Sequence, residues 1–223
     1  NVLKNISFVI NPGEKIGVIG TIGSGKSTLA KIVSGLYKPS SGQILYDGKL
    51  IPKEASALEF VSYMPQNAPL FIGSLEDNMK IAGKNITSEE INKALEDAQV
   101  KDFVKKYGMN KNIYGSNLTV SGGERQRIAI ARSLLKKASV YIFDDSFANL
   151  DFKTDLNLRK SILKRLENNT VLLVSQRVGT VRNLDRIIVL ENGKLIGFDS
   201  HENLLKNCPA YKKTVDLQMG EEA

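Results

Sequence analysis

The 223-residue sequence has very few of the residues that build disulfides and metal sites. It contains one cysteine, Cys208, and one histidine, His201. A single cysteine excludes an internal disulfide framework and a zinc site made of clustered cysteines. A single histidine leaves little for metal binding or for a catalytic triad. This cysteine usage is typical of a reducing compartment.

The sequence also lacks a long apolar segment. No stretch approaches the roughly 20 apolar residues that span a bilayer, and no charged and then apolar leader opens the chain. We therefore expect the chain as given to be soluble. The apolar residues Ile6, Phe8 and Ile10 alternate with other residues, which predicts a strand. Because the sequence begins with Asn1 and reaches this pattern at once, we expect it to be a piece of a longer protein.

Charge is in modest excess and is not concentrated. The chain has 31 Lys and Arg against 24 Asp and Glu, a formal net charge of +7. Such an excess suits nucleic acid or an anionic membrane, but the basic residues are scattered rather than gathered in a run. The pattern favours a solvated basic surface and no nucleic-acid partner. With 42% hydrophobic residues, the length allows one domain with an inserted subdomain.

The stretch "KIGVIGTIGSGKSTLAKIVSGLY" places glycines between a strand pattern and a helix pattern. "IGVIG" is short and β-branched, and Leu29, Ile32, Val33 and Leu36 recur at helical spacing. In G-x-x-x-x-G-K-S, the glycines at 20, 23 and 25 let backbone amides surround phosphate oxygens, a lysine reaches the outer phosphates and a serine binds magnesium. A glycine-rich turn without a ligand is the alternative interpretation.

A second glycine pair opens the helix pattern in "LTVSGGERQRIAIARSLLKK". Ser121 and Glu124 form a capping box, which alone accounts for a well-started helix. Gly122 and Gly123 are not explained by it, because each glycine lowers helix stability by up to about 1 kcal/mol. They expose backbone N–H groups beside a serine hydroxyl, which suits a second anion site. Two such sites in one chain predict that nucleotide is enclosed between two copies or two relatives.

Six segments together resemble the nucleotide-binding domain of ABC transporters. They are "GTIGSGKST", "YMPQNAPLF", "VSGGERQR", "VYIFDD", "ANLD" and "VLLVSQRVGT", in the order and approximate spacing of that family. "SLEDNM" is similar to the exporter branch. The resemblance covers essentially the whole chain.

The resemblance implies roles for individual residues. Gln66 senses magnesium and contacts the membrane domain, and Asp144 is a magnesium ligand together with Ser27, as expected for a carboxylate at the end of a parallel strand. Asp151 is the carboxylate at the dimer seam. The residues implied to bind ATP with Mg²⁺ are Gly20, Thr21, Ile22, Gly23, Ser24, Gly25, Lys26, Ser27 and Thr28, with Ser121, Gly122 and Gly123 binding the ATP of a partner.

Two positions depart from the family pattern. Asp145 stands where most members have a catalytic Glu, which withdraws the carboxylate by about 1.5 Å. Gln176 stands where the family has its switch His, and glutamine can donate a hydrogen bond to a γ-phosphate but cannot carry a proton. The pair predicts the degenerate half of a heterodimeric exporter, whose own site hydrolyses ATP slowly. Its segment Ser121, Gly122 and Gly123, which is called the signature in this family, would complete the partner's site.

The expected fold is α/β, a P-loop NTPase with a RecA-like core, an antiparallel β subdomain and an inserted helical subdomain at 73–135. The helical subdomain rests on "SEEINKALEDAQV", in which Ser88 begins a helix with Ile91, Leu95 and Ala98 on one face. The expected partners are a second ABC domain on a different chain and an exporter's transmembrane domain, at the cytoplasmic face of the membrane. No transmembrane domain is expected within these residues.

Two alternatives remain at this point. One is an assembly module in which ATP is never usefully hydrolysed, and the other is an ABC ATPase acting on DNA or ribosomes. The adenine-stacking aromatic of the family would precede Asn1, and the exporter segment before the signature is replaced by "NIYGSNLT". The first departure predicts weaker binding of the adenine base, and the second lies in the loop through which the family contacts its membrane domain.

Overall fold

The computed structural model describes residues 2–50, 56–113, 120–148 and 150–219, with the backbone alone at Met219. Most of "NIYGSNLT" and Asn149 of "ANLD" lie outside the described residues. The strands are β1 (Lys15–Gly20), β2 (Leu45–Tyr46), β3 (Lys49–Leu50), β4 (Val61–Met64), β5 (Gly73–Ser74), β6 (Asn112–Ile113), β7 (Val140–Asp144), β8 (Thr170–Val174), β9 (Arg186–Glu191) and β10 (Lys194–Asp199). The helices are α1 (Lys26–Val33), α2 (Leu75–Lys80), α3 (Ser88–Asp97), α4 (Lys101–Tyr107), α5 (Gly122–Leu135), α6 (Phe152–Arg165), α7 (Val178–Val181), α8 (His201–Asn207) and α9 (Pro209–Met219).

A six-stranded sheet in the order β10-β9-β1-β8-β7-β4 carries the first of two compact units. β1 pairs in parallel with both β8 and β9, and β8 pairs in parallel with β7. Parallel strands that lie under helices are buried on both faces, which is why β1, β7, β8 and β9 read as nearly continuous runs of β-branched and apolar residues. Their carboxyl ends therefore meet along one edge of the sheet.

The antiparallel part of the predicted fold is confirmed by two pairings. β2 and β3 form a hairpin, and β10 runs antiparallel to β9 at the edge of the main sheet. The predicted P-loop α/β class is confirmed by the parallel sheet and the helix that follows β1.

The predicted strand at Ile6, Phe8 and Ile10 is wrong. Within residues 2–14 no strand is assigned, although these three side chains do pack against the sheet's apolar core. The physical reason is visible at Val9, whose carbonyl accepts a hydrogen bond from the Arg186 guanidinium at 3.0 Å rather than from a neighbouring strand. Alternation here reports which side chains face the core, and not a strand's hydrogen bonds.

The second compact unit comprises Met64–Lys137 and Ser146–Glu167 and is mostly helical. The predicted helix beginning at Ser88 is confirmed as α3, which Thr87 caps and whose Ile91 and Leu95 are buried. α3 packs against α5 and α6, and Asp97 at its end accepts a hydrogen bond from Arg165 of α6 at 2.7 Å. The boundaries 73–135 of a helical subdomain stay a prediction.

The carboxyl-terminal segment forms two helices, α8 and α9, and His201 is the first residue of α8. Among the helices of the described ranges, none combines the length and the apolar character needed to cross a membrane.

Candidate nucleotide-binding site

The loop that joins β1 to α1 is built so that glycine is required. Gly25 is the N-cap of α1 with φ of 102°, a left-handed conformation that side chains disfavour, and a Cβ there would lie 2.5 Å from Leu3 Cδ2. At Gly20, a Cβ would lie 2.2 Å from the carbonyl oxygen of Leu190. The backbone conformation of the loop is therefore fixed by contacts within the fold itself.

The loop holds a buried lysine at the amino-terminal end of α1. No residue in the first turn of this helix is an acid, but the carboxylate of Asp144 lies beside that turn, where it accepts a hydrogen bond from Ser27 Oγ at 2.9 Å. Lys26 Nζ donates to the carbonyls of Gly20 at 2.8 Å and of Thr21 at 3.0 Å. Burial lowers the pKa of Lys26, and the nearby carboxylates of Asp145 and Asp144 oppose that shift. The ammonium group is thus held within the loop by groups it can exchange for phosphate.

Ser24 provides a direct test of whether this loop fits phosphate. Its hydroxyl is buried, yet Ser24 Oγ has no hydrogen-bond partner among the described residues. A buried hydroxyl without a partner lowers stability by about 1–3 kcal/mol, so such groups are rare unless a ligand satisfies them. Together with the helix terminus and Lys26, this orphan group fits a phosphate ligand.

Asp144 lies at the carboxyl end of β7, where the sequence predicts a magnesium ligand. The side chain is 2% exposed, and its two oxygens accept hydrogen bonds from Ser27 Oγ and from Tyr63 Oη, each at 2.9 Å. A carboxylate and a hydroxyl are hard oxygen donors of the kind that Mg²⁺ prefers. The structure therefore brings Ser27 and Asp144 together in a way that fits the cation.

Tyr63, on β4, is a site residue that sequence reasoning missed. Burial, and then the negative charge of Asp144, raise the pKa of Tyr63, so its hydroxyl remains a donor to that carboxylate. The only sequence signal is a tyrosine in an apolar strand that ends just before Gln66. Recognising its role requires knowing that β4 lies beside β7.

Asp145 follows directly and has an uncommon backbone. Its φ is 48°, in the left-handed region that Asp and Asn enter more readily than other side chains. Its N–H donates to the carbonyl of Val174 on β8 at 3.0 Å, which fixes the residue at the sheet edge. Burial and the Asp144 charge raise the pKa of Asp145, while Lys26 and Arg177 lower it. The carboxylate thus lies close to the loop lysine.

Gln176 reaches the same edge from β8. Asp144 pairs with Val174 in the sheet register, so the chain leaves β7 and β8 at adjacent points, and Gln176 is exposed two residues beyond Val174. Its backbone carbonyl accepts a hydrogen bond from Gln218 Nε2 at 2.8 Å. The first unit therefore gathers the loop, Asp144, Asp145 and Gln176 at the carboxyl ends of β1, β7 and β8.

The signature residues belong to the second unit and open α5. Ser121 is its N-cap, with Ser121 Oγ accepting from the Glu124 N–H at 3.2 Å and Glu124 Oε2 accepting from the Ser121 N–H at 2.8 Å. The predicted capping box is confirmed. A Cβ at Gly122 would meet no described atom within 4 Å, and one at Gly123 would come only to 3.5 Å of Leu150. Neither glycine has a positive φ, so neither is required by the described fold.

Arg127 adds a second unexplained group beside these glycines. Its Nη1 lies 3.6 Å from the position of a Cβ on Gly123, and its Nε is buried without a hydrogen-bond partner in the part of the chain that the structure describes. A guanidinium N–H that lacks an acceptor suits an approaching anion. This arrangement supports the interpretation of Ser121, Gly122 and Gly123 as an anion site.

Two predicted site residues of the second unit have weaker structural support. Gln66 is exposed just beyond β4. Asp151 is exposed and caps α6, with its Oδ1 accepting from the Thr154 N–H at 3.0 Å, and hydrogen bonds from the Thr154 side chain and backbone lower the pKa of Asp151. Helix capping accounts for Asp151 without a ligand. The magnesium role of Gln66 and the dimer role of Asp151 stay predictions.

Comparison with known proteins identifies the family of this chain. The family model described as ABC transporter matches residues 3–148. A putative ABC transporter ATP-binding protein of Mycoplasma genitalium is 36% identical over 234 residues, covering 98% of this chain and 37% of that protein. The mitochondrial iron-sulfur clusters transporter ATM1 of Kluyveromyces lactis is 39% identical over 214 residues, covering 93% of this chain and 30% of that protein.

Among solved structures, a bacterial Atm1-family ABC exporter with ATP bound superimposes with a TM-score of 0.93 at 29% identity, covering 98% of this chain and 39% of that one. The chain thus spans well under half the length of the relatives it matches. The chain belongs to the ABC transporter family, as a nucleotide-binding domain homologous to those of Atm1-family exporters.

Proposed function

We propose that this chain is the ATP-binding domain that drives export across a membrane through nucleotide-dependent dimerisation, and that its own site hydrolyses ATP slowly. The relatives named above include an iron-sulfur clusters transporter and an Atm1-family exporter, which supports an export role. The partners in this proposal are a transmembrane domain and a second ABC domain on a different chain. The domain works at the cytoplasmic face of that membrane.

In this proposal, the loop 20–28 holds the phosphates of ATP. Lys26 exchanges the carbonyls of Gly20 and Thr21 for phosphate oxygens, and the Ser24 hydroxyl gains the acceptor it lacks. Ser27 and Asp144, already 2.9 Å apart, hold the cation. Bound Mg²⁺ neutralises charge on the phosphate oxygens. The backbone amides before α1 contribute the helix dipole.

The single observation that carries the slow-site proposal is the carboxylate after Asp144. In phosphoryl transfer, the protein contributes mainly positioning and electrostatic stabilisation, so a misplacement of about 1 Å lowers the rate on the order of a hundredfold. The Asp145 side chain is one methylene shorter than that of Glu. The hydrogen bond from the Asp145 N–H to the Val174 carbonyl holds the backbone in place, so the backbone cannot move toward the nucleotide to make up the difference. Gln176, two residues beyond the end of β8, stands where the family has a histidine that can carry a proton.

The signature supports the second half of the proposal. Gly122 and Gly123 open α5 although neither packing nor φ requires them within the described residues, and Arg127 Nε lacks an acceptor there. An anion that approaches this helix end explains all three features. In the proposed dimer that anion is the γ-phosphate of ATP bound to the partner. The chain is then weak in its own site and competent in the partner's site.

A second candidate function is an assembly module in which ATP acts as glue. The same two residues, Asp145 and Gln176, favour it, because both lower the expected hydrolysis rate. The two functions differ in the mixed dimer. An export motor hydrolyses ATP at the partner's site, whereas an assembly module hydrolyses ATP at neither site.

The test is turnover by the purified chain with Mg·ATP, with Lys26→Ala as the blank. We expect turnover far below the ordinary enzyme value of about 10 per second. The chain is then purified with its partner, and we expect much faster turnover in that complex. Turnover by the chain alone near the ordinary value contradicts the slow site, and an equally slow complex contradicts the export motor in favour of the assembly module.

A further inference from the structure

Helix α9 clamps the backbone on both sides of Arg177. Gln218 Oε1 accepts a hydrogen bond from the Val178 N–H at 2.7 Å, and Gln218 Nε2 donates to the Gln176 carbonyl at 2.8 Å. One side chain therefore satisfies a donor and an acceptor two residues apart. A carboxamide can do both, whereas a carboxylate lacks the donor and an ammonium lacks the acceptor.

Gln218 lies on a face of α9 that is buried one and two turns earlier in the helix. Tyr211 and Val215 precede Gln218 at spacings of seven and three residues, which places all three on one side of the helix. Tyr211 is 0% exposed and Val215 is 5% exposed. The Tyr211 hydroxyl also lies 2.7 Å from His201 Nδ1 of α8. Gln218 is thus presented by a helix that is anchored one and two turns earlier.

The clamped segment needs such support. Arg177 is the N-cap of α7 and makes no side-chain capping bond, so the Val178 N–H has no capping acceptor from its own helix. Two hydrogen bonds fix the preceding turn. The Ser175 N–H donates to the Val18 carbonyl at 3.0 Å, and the Arg177 N–H donates to Ser175 Oγ at 3.0 Å. Gln218 completes this set of bonds at Gln176, the switch position.

We infer that Gln218 is a positioning residue that holds the Gln176 backbone so that the Gln176 side chain meets the γ-phosphate. This inference rests on the proposed function, and it takes the Gln176 side chain to donate a hydrogen bond to the γ-phosphate from the position of the family's switch His. The bond to the Gln176 carbonyl restricts rotation of the backbone that carries this side chain. The carboxyl-terminal helix thereby influences how well the site distinguishes ATP from ADP.

A purely structural role is the competing explanation, in which Gln218 only caps α7. The substitution Gln218→Glu separates the two. Glutamate keeps an acceptor for the Val178 N–H, which satisfies the helix end, but it cannot donate to the Gln176 carbonyl. Gln218→Ala removes both bonds. Leu217→Ala, at an exposed position of the same helix, is the matched control.

The experiment measures the affinities of the purified chain for Mg·ADP and for Mg²⁺ with a non-hydrolysable ATP analogue. The readout is the ratio of the two affinities, because ADP lacks the phosphate that Gln176 contacts. We expect Gln218→Glu and Gln218→Ala each to lower the preference for the triphosphate about tenfold, the effect of one hydrogen bond to a charged group. ADP affinity stays at the wild-type value, and Leu217→Ala leaves the ratio unchanged.

The double mutant with Gln176→Ala tests whether Gln218 acts through Gln176. We expect Gln176→Ala to lower the ratio about as much as Gln218→Ala, and the double mutant to add nothing further. A wild-type ratio in Gln218→Glu overturns the inference in favour of simple capping, as does full additivity in the double mutant. Failure of the wild-type chain to bind either nucleotide is a different result, because it overturns the proposed function itself.

Discussion

The two glycine-containing segments that we propose as phosphate sites differ in what requires their glycines. In the loop 20–28, Gly25 has a positive φ and Gly20 lies so close to Leu190 that a side chain cannot fit. At the start of α5, neither Gly122 nor Gly123 is required by φ or by neighbouring described atoms. The loop is therefore formed by its own fold. Within the described residues, neither packing nor φ accounts for Gly122 and Gly123, which is consistent with the proposed contact to a partner's nucleotide.

This difference indicates how each site is completed. The loop contains its own cation in Lys26 and its own orphan hydroxyl in Ser24, so it is ready to bind nucleotide within one chain. The start of α5 offers backbone N–H groups and the Arg127 guanidinium. Unlike the loop 20–28, its segment "SGGERQR" contains no lysine directly after the glycines. It is suited to contribute to a site whose phosphate-binding loop belongs to another chain.

The largest expected difference between the two segments is in how a substitution of glycine changes the free energy of unfolding. We expect Gly20→Ala to lower the free energy of unfolding by roughly 3 kcal/mol, because the new Cβ must displace backbone. Gly122→Ala should raise it by up to about 1 kcal/mol, through better helix propensity and no clash. Urea denaturation of both variants measures the difference. Equal destabilisation by both substitutions would remove the contrast between the sites.

The next effect is on nucleotide affinity. Lys26→Ala removes the cation from the loop, and we expect the affinity of the purified chain for Mg·ATP to fall roughly a hundredfold, as for loss of charged hydrogen bonds. Arg127→Gln instead changes the guanidinium beside Gly123 and should leave that affinity unchanged. Equilibrium binding to the single chain checks both variants. A large loss with Arg127→Gln would mean that the signature serves the chain's own nucleotide.

The short-range features of both sites could be predicted from the sequence. The turn between β1 and α1, the capping box of Ser121 and the carboxylate that ends β7 are all set by residues within one or two turns of each other. Propensity, capping and period act over that distance, so the pattern determines the structure there. The helix α1 nevertheless ends at Val33, because Gly35 has φ of 78°, and Leu36 lies beyond it.

The contacts that complete the site could not be predicted in this way. Tyr63 meets Asp144 across 81 residues, and Gln218 meets Gln176 across 42. These pairings depend on which strand lies beside which and on how α9 is anchored, and no local pattern encodes either. The same limit explains the wrong strand at 6–10, where the alternating residues face the core but the Val9 carbonyl is bound by a side chain.

A smaller effect concerns the chemistry of the first site. We expect Asp145→Glu combined with Gln176→His to raise hydrolysis at this chain's own site roughly tenfold to a hundredfold, because both groups act on one transition state. The effects of the two single changes on the activation free energy should sum to less than the effect of the double change, so the two are non-additive. Single-turnover hydrolysis, with the partner's site disabled, measures this.

The double mutant also needs a binding control. Its affinity for Mg·ATP is measured beside the wild type, since Glu tolerates the left-handed φ of 48° at position 145 less well than Asp. No increase in hydrolysis with unchanged affinity would show that other groups keep the site slow. A raised rate also lets us ask whether faster hydrolysis here uncouples ATP use from export.

The smallest effect concerns magnesium. Tyr63→Phe removes one of the two hydroxyl donors that orient Asp144, and we expect the Mg²⁺ concentration needed for ATP binding to rise roughly tenfold or less, as when a partner of a metal ligand is lost. Tyr107→Phe, in the second unit, is the control. A Mg²⁺ titration at fixed ATP measures the shift. An unchanged requirement would show that Tyr63 does not support the cation site.

The central claim is that this chain contributes more to its partner's site than to its own. The most direct measurement is steady-state ATP turnover of the full complex with Ser121→Arg or with Asp145→Asn in this chain. A bulky cation at Ser121 blocks closure on the partner's γ-phosphate, so we predict a loss of roughly a hundredfold or more. Asp145→Asn alters a site that is already slow, so we predict a change of less than about threefold. Equal losses from the two substitutions would contradict the account, because they would show that the two sites are equivalent.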